Sequence, residues 1–180
     1  MPLDLHRWIE LAQVARPHGV RGELRLKVFN ADSDALLEAS EILIRFRDGH
    51  EQEVPVESAR RVVGAILYKL RGVNSRERAD ELREAHVCMR RDAFPRLSDD
   101  EFYVCDILGA EVWLAEADEE PKRIGKVHDL RSYPTVDALI VKADDEKTEW
   151  EVPLIEQFIA HVDAAVGRVT LNTLEGVTPP

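Results

Sequence analysis

The side chains of this sequence best suited to proton transfer near neutrality are its six histidines, His6, His18, His50, His86, His128 and His161. His128-Asp129 and His161-Val162-Asp163 have the residue types that a general base and its orienting carboxylate require. Turn residues and surface charge explain both pairs better, because acid–base work needs a positioned geometry that adjacency does not supply. Metal ligation is not indicated either: no HxxxH pair occurs, and Cys88 and Cys105 stand apart without CxxC spacing. There is no GxSxG elbow, no GxxxxGKS or GxxxxGKT phosphate loop and no GxGxxG turn after a strand. The expectation is a protein without catalytic residue, metal or cofactor, whose chemistry is binding.

Binding signals are better developed. Arg16, His18, Arg21, Arg25 and Lys27 lie on and beside one turn, where converging cations would suit a phosphate-bearing partner, a candidate RNA-binding surface if that partner is RNA. A solvated outer strand face is the alternative. Arg71, Arg76, Arg78 and Arg83 form a second basic group, but Glu77, Asp80, Glu81 and Glu84 are interspersed, so surface ion pairing is expected there. Phe102-Tyr103 follows the acidic tract Asp99-Asp100-Glu101. In a strand one ring would face the core and the other would face out, an anchor for a basic protein surface. Core packing is the alternative.

The elements that must position these residues are mostly short strands. Residues 8–14 largely alternate apolar and polar. Arg16-Pro17-His18-Gly19-Val20-Arg21-Gly22 interrupts them, and residues 23–29 resume a period of two, with Leu24, Leu26 and Val28 on one face and Arg25 and Lys27 on the other. Residues 30–38 suggest a helical turn or loop. Strands are expected over 42–46, 53–63, 65–70 and 87–89, with Asp48-Gly49 marking a hairpin and Pro55 an edge or bulge. One helix is expected over 75–84, capped by Asn74 or Ser75 and facing inward through Ala79 and Leu82. Composition shifts across 92–100, the best domain boundary. Beyond it strands are expected over 102–104, 111–114, 124–127, 137–141, 150–153 and 168–171, with a helical turn within 155–161. Two small barrels explain this pattern better than one α/β domain, so the fold class is mainly β.

Composition sets the outer limits. A hydrophobic content of 44% in 180 residues does not suggest disorder. No apolar run approaches the roughly 18–20 residues of a membrane span, and the first eight residues lack the pattern of a secretory signal. Cys88 and Cys105 are expected as reduced, partly buried thiols, which fits the cytoplasm. The net charge of −11 conceals a split: residues 1–96 carry 17 Lys+Arg against 16 Asp+Glu, and residues 97–180 carry 7 against 19. The acidic half is repelled by phosphate and suits a basic protein partner, or simply solubility.

Four stretches, in order and spread over nearly the whole chain, resemble the RimM family of ribosome maturation factors. The turn from Arg16 to Leu24 is similar to the family's opening signature. Leu70-Arg71-Gly72-Val73-Asn74-Ser75-Arg76-Glu77-Arg78-Ala79 resembles its strand–glycine–helix segment. The run from Glu101 to Gly109 resembles its paired-aromatic motif, and Val152 to Ile159 with Val162-Asp163 resembles its closing segment. The resemblance implies a six-stranded N-terminal barrel over 1–95, a linker at 96–101, a PRC-type barrel over 102–176 and a tail at 177–180. It implies a role in maturing the head of the small ribosomal subunit, with contacts to pre-16S ribosomal RNA and to the nineteenth small-subunit protein. Phe102 and Tyr103 take over the family's aromatic pair.

Three departures stand out. Leu11-Ala12 replaces a glycine common in the family, Phe102 lacks the hydroxyl of the usual tyrosine, and Ser132-Tyr133-Pro134-Thr135-Val136 replaces a glycine-rich turn. The expected function is transient, non-catalytic stabilisation of an assembly intermediate by a cytoplasmic monomer that does not touch the membrane. The rival readings are an enzyme acting directly on precursor RNA and a membrane-associated or electron-transfer accessory.

Overall fold

Leu24 and Leu26 are fully buried and Lys27 is exposed, so the alternation in sequence is that of a strand. The computed structural model describes residues 4–30, 33–98, 101–116, 120–145 and 147–177. The chain divides into two units, Asp4–Arg96 and the part that begins at Leu97.

The first unit contains β1 (Trp8–His18), β2 (Glu23–Val28), α1 (Ala35–Glu38), β3 (Glu41–Arg45), β4 (Glu51–Val62), β5 (Ala65–Leu70), α2 (Arg76–Glu81) and β6 (His86–Arg90). Its strands form a closed antiparallel barrel in the order β1-β2-β5-β4-β3-β6, in which β6 pairs with both β3 and β1. Closure leaves no sheet edge to protect. Tyr68 is fully buried, and its hydroxyl donates to the Leu36 carbonyl of α1, so the phenol does not leave a polar atom stranded in the core. Burial pushes that phenol well above its ordinary pKa.

Several expectations change here. β1 continues beyond residue 14 to His18, because a bulge between Val14 and Arg16 resets its register on β2. β4 is not an edge strand; it lies between β3 and β5, and its irregularity falls between Val56 and Ser58, just after Pro55. α2 is capped as expected, the Ser75 Oγ accepting from the Arg78 N–H at 3.3 Å, and Ala79 and Leu82 are buried. It ends at Glu81, short of 84, because β1 captures the chain: the Glu84 N–H donates to Val14 and the Val14 N–H to Ala85, both at 2.9 Å.

The second unit contains α3 (Val104–Ile107), β7 (Glu111–Leu114), β8 (Lys122–Arg131), β9 (Ala138–Lys142), β10 (Glu149–Pro153), β11 (Ile159–Asp163) and β12 (Arg168–Leu171). The sheet order is β10-β9-β8-β7-β12-β11, parallel only between β12 and β7. Val112, Val127, Leu139, Val152 and Val169 share one core, against which Ile159 of β11 packs, so all six strands enclose the same apolar interior. Among the described residues no backbone ladder joins β10 to β11; the sheet wraps its core with the seam unpaired.

Residues 102–104 are not a strand. The Asp106 N–H donates to Tyr103 at 2.8 Å and the Leu108 N–H to Val104 at 3.1 Å, which coils the chain into a helical turn. The helical turn expected within 155–161 is closed by the Phe158 N–H on Ile155 at 3.0 Å, and from Ile159 the chain is strand. Asp99, Asp100 and the tail residues 178–180 lie outside the described residues.

Candidate functional site

The cations of the first unit separate into groups. Arg16, His18 and Arg21 lie at the β1–β2 turn and are exposed. The bulge places Arg16 directly opposite Arg25. Two like charges across a strand pair destabilise each other unless something negative answers them. Arg25 is partly engaged, its guanidinium donating to the Val63 carbonyl at 2.9 Å, at the tip of the β4–β5 hairpin. Lys27 lies further along β2, exposed, opposite Gln13. Glu23, the carboxylate next to the turn, is held by both guanidinium nitrogens of Arg60. That hydrogen bonding keeps the Glu23 carboxyl below the usual carboxylate range, against a smaller opposing effect of burial.

A second loop is built against this turn. Lys69 of β5 extends its ammonium to the Arg21 carbonyl at 2.8 Å, to the Asn74 side-chain oxygen at 3.0 Å and to the Val73 carbonyl. One buried-stem cation thus ties residues 21, 73 and 74 together. The lock carries Arg71 and Arg76 to the same end of the barrel as Arg16, His18 and Arg21. Expected ion pairing in this second group is realised at Arg78, which meets Glu81 at 2.8 Å. Arg71, Arg76 and Arg83 make no ion pair among the described residues, so the basic surface is larger than the turn alone suggested. Sequence reasoning missed Lys69; the lysine two residues before the Arg71-Gly72 loop was the available signal.

In the second unit Phe102 is half-buried and packs on the core, while Tyr103 is half-buried at the start of α3. The pair is therefore placed by a coil and a helical turn rather than by the two faces of a strand. Several cations of the second unit are answered internally. Arg123 grips Asp144 at 2.6 and 2.9 Å, Arg131 meets Glu151 at 2.9 Å and Lys142 lies 3.9 Å from Glu149. Arg168 stacks over Trp113 at 4.7 Å. Residues 97–180 carry 19 Asp+Glu against 7 Lys+Arg, an excess of negative charge.

The two histidine–carboxylate pairs do other work. The Asp129 carboxylate accepts from the Leu130 N–H at 2.8 Å, and that of Asp163 from the Val166 N–H at 3.2 Å. Among the described residues no three His, Cys, Asp or Glu side chains gather as a metal requires. No described helix is long and apolar enough to cross a membrane.

Residues 9–94 match the RimM N-terminal domain and residues 106–177 match the RimM PRC barrel domain. A protein of Sorangium cellulosum named ribosome maturation factor RimM is 44% identical over 171 residues, covering 95% of this chain and 98% of that one. Proteins of the same name from Dinoroseobacter shibae and Trichlorobacter lovleyi are 34% and 30% identical, covering 91% and 94% of this chain and 94% of each relative.

Proposed function

This chain belongs to the RimM family of ribosome maturation factors, and from that membership we propose that it assists assembly of the small-subunit head by binding without catalysis. The first unit approaches pre-16S ribosomal RNA through Arg16, His18 and Arg21 with Arg71 and Arg76; Arg25 and Lys27 extend that surface along β2. The second unit holds the nineteenth small-subunit protein, with Phe102 and Tyr103 as the anchor. The observation that carries this division is electrostatic: Arg16, Arg21, Arg71 and Arg76, which make no ion pair among the described residues, lie on the two loops tied together by Lys69, whereas residues 97–180 carry 19 acidic residues against 7 basic ones. Phosphate favours the former and a basic protein the latter.

The mechanism is mass action. A binder that prefers one arrangement of RNA and protein raises the population of that arrangement by its differential affinity, and leaves when the mature subunit no longer offers it. The protein acts as a cytoplasmic monomer.

Sucrose-gradient sedimentation of a lysate tests the reading. Migration with free small subunits but not with complete ribosomes is expected; a position confined to the top of the gradient counts against it. A pull-down with the double variant Phe102→Ala/Tyr103→Ala is expected to lose the ribosomal protein, and full retention would remove the anchor assignment. Metal-dependent cleavage of precursor RNA by the purified protein would overturn the non-catalytic mechanism.

A further inference from the structure

The first barrel has an open pocket of about 300 Å³ beside the basic loops. Phe46, Leu70 and Leu82 form its apolar wall, and Gln52, Arg71 and Gly72 lie on its lining. That volume falls at the small end of organic-ligand sites and is far more than a single ion requires.

Its chemistry is that of a site for a flat, polar-edged ring with an anion beside it. Phe46 is half-buried and lines the pocket, and its ring lies 5.4 Å from that of His50, inclined by 33°. Gln52 is exposed, and its amide both donates and accepts, as the edge of a nucleobase does. Arg71 makes no ion pair among the described residues, and the Gly72 N–H donates to none of the described backbone carbonyls outside the strands and helices. Nothing lies within 4 Å of where a Gly72 side chain would begin, leaving that backbone open to a close approach. The one carboxylate on the lining, Glu81, is already answered by Arg78 at 2.8 Å.

We propose that this pocket takes an unpaired base of single-stranded RNA, stacked on Phe46, with an adjoining phosphate at Arg71 and the Gly72 N–H. The proposal rests on the reading that the first unit meets RNA. Arg71 and Gly72 belong to the basic loop and to the pocket at once, so one strand can follow both. The apolar side chain of a protein would satisfy the wall but leave Gln52, Arg71 and Gly72 without partners.

The test uses the full chain and an oligoribonucleotide carrying one 2-aminopurine, offered as single strand and as duplex. Fluorescence quenching reports stacking and anisotropy reports affinity. The single strand is expected to bind about tenfold more tightly, the effect of one stacked base. Phe46→Leu, which keeps apolar bulk, is expected to lose the quenching. Arg71→Gln is expected to weaken every sequence evenly and to reduce the salt slope by about 0.7. Equal affinity for single strand and duplex, or quenching unchanged in Phe46→Leu, overturns the base pocket and leaves the RNA reading intact. Loss of the ribosomal-protein pull-down in Phe46→Leu, with RNA binding unchanged, assigns the pocket to a protein side chain and also overturns it. No binding to either RNA overturns both readings together.

Discussion

Gly22 faces the backbone carbonyl of Val73 so closely that any Cβ at residue 22 would collide with it. The contact joins the β1–β2 turn to the loop that carries Arg71, and Gly22 sits there with a φ of 79°. Gly22→Ala therefore combines left-handed strain with an overlap against backbone, which cannot move aside cheaply. A loss of about 2–4 kcal/mol in the first unit is expected. Gly19 has a similar φ of 65° but nothing within 4 Å, so Gly19→Ala should cost only about 1–2 kcal/mol. Thermal unfolding of the two variants, compared side by side, checks the difference; equal losses would mean that the turn and the loop are not locked.

Phe102 contributes to the core of the second unit from a half-buried position. Phe102→Ala should lower that unit's stability by about 1–2 kcal/mol, roughly half of a fully buried aromatic's effect. Phe102→Leu should recover most of it. A stable Leu variant that still retains the ribosomal protein at full affinity would assign the anchor to Tyr103.

Acid should weaken the first barrel through Glu10. Its carboxylate is raised by burial as the largest single influence, but hydrogen bonds from His86 and Arg45, at 2.7 and 2.6 Å, together outweigh it and leave the pKa lowered. A lowered folded-state pKa stabilises the fold above the unfolded value of about 4.3, and that contribution is lost as pH falls through the folded value. The pair is about one-third exposed, so screening limits it to about 1 kcal/mol or less. Denaturant unfolding from pH 6 down to pH 3 should therefore show a shallower decline in Glu10→Gln than in the parent. An unchanged slope would assign the acid sensitivity to other carboxylates.

The two cysteine thiols should differ in reactivity. Cys88 is fully buried, and burial pushes its pKa up to about 11, whereas Cys105 is half-buried. The thiolate is the reacting form, so Cys88 is protected twice, by access and by protonation. A chromogenic disulfide reagent at neutral pH should titrate one thiol quickly and the second only after denaturant is added. Rapid loss of both would indicate that the barrel opens around β6.

Much of the fold was readable because burial repeats locally. Leu24, Leu26 and the Ser75 cap announce their elements within a few residues, and each stands as expected. The family signatures likewise located the stretches that became the turn, the Arg71 loop and the aromatic pair. What escaped depends on contacts between distant residues. Lys69 and the Arg21 carbonyl are 48 positions apart, and no local pattern marks a lysine as a tie between loops. The juxtaposition of Arg16 with Arg25 follows from a bulge that shifts register, which alternation alone does not register. Residues 102–104 are aromatic and apolar, as a strand's residues often are, but they pair with no described strand and coil instead.

The last strand to be synthesised in the first unit is also the one that seals it. Trp8 pairs with Arg90 and Leu43 with Cys88, so β6 fills a gap between two strands made much earlier. While the ribosome adds about 5–20 residues per second, β1 and β3 wait with unsatisfied backbone edges. The nascent chain is therefore exposed to strand addition by its neighbours for seconds, and a fragment released before His86 would have no means of closing. Translation speed through the segment before β6 therefore sets how long those two edges stay open.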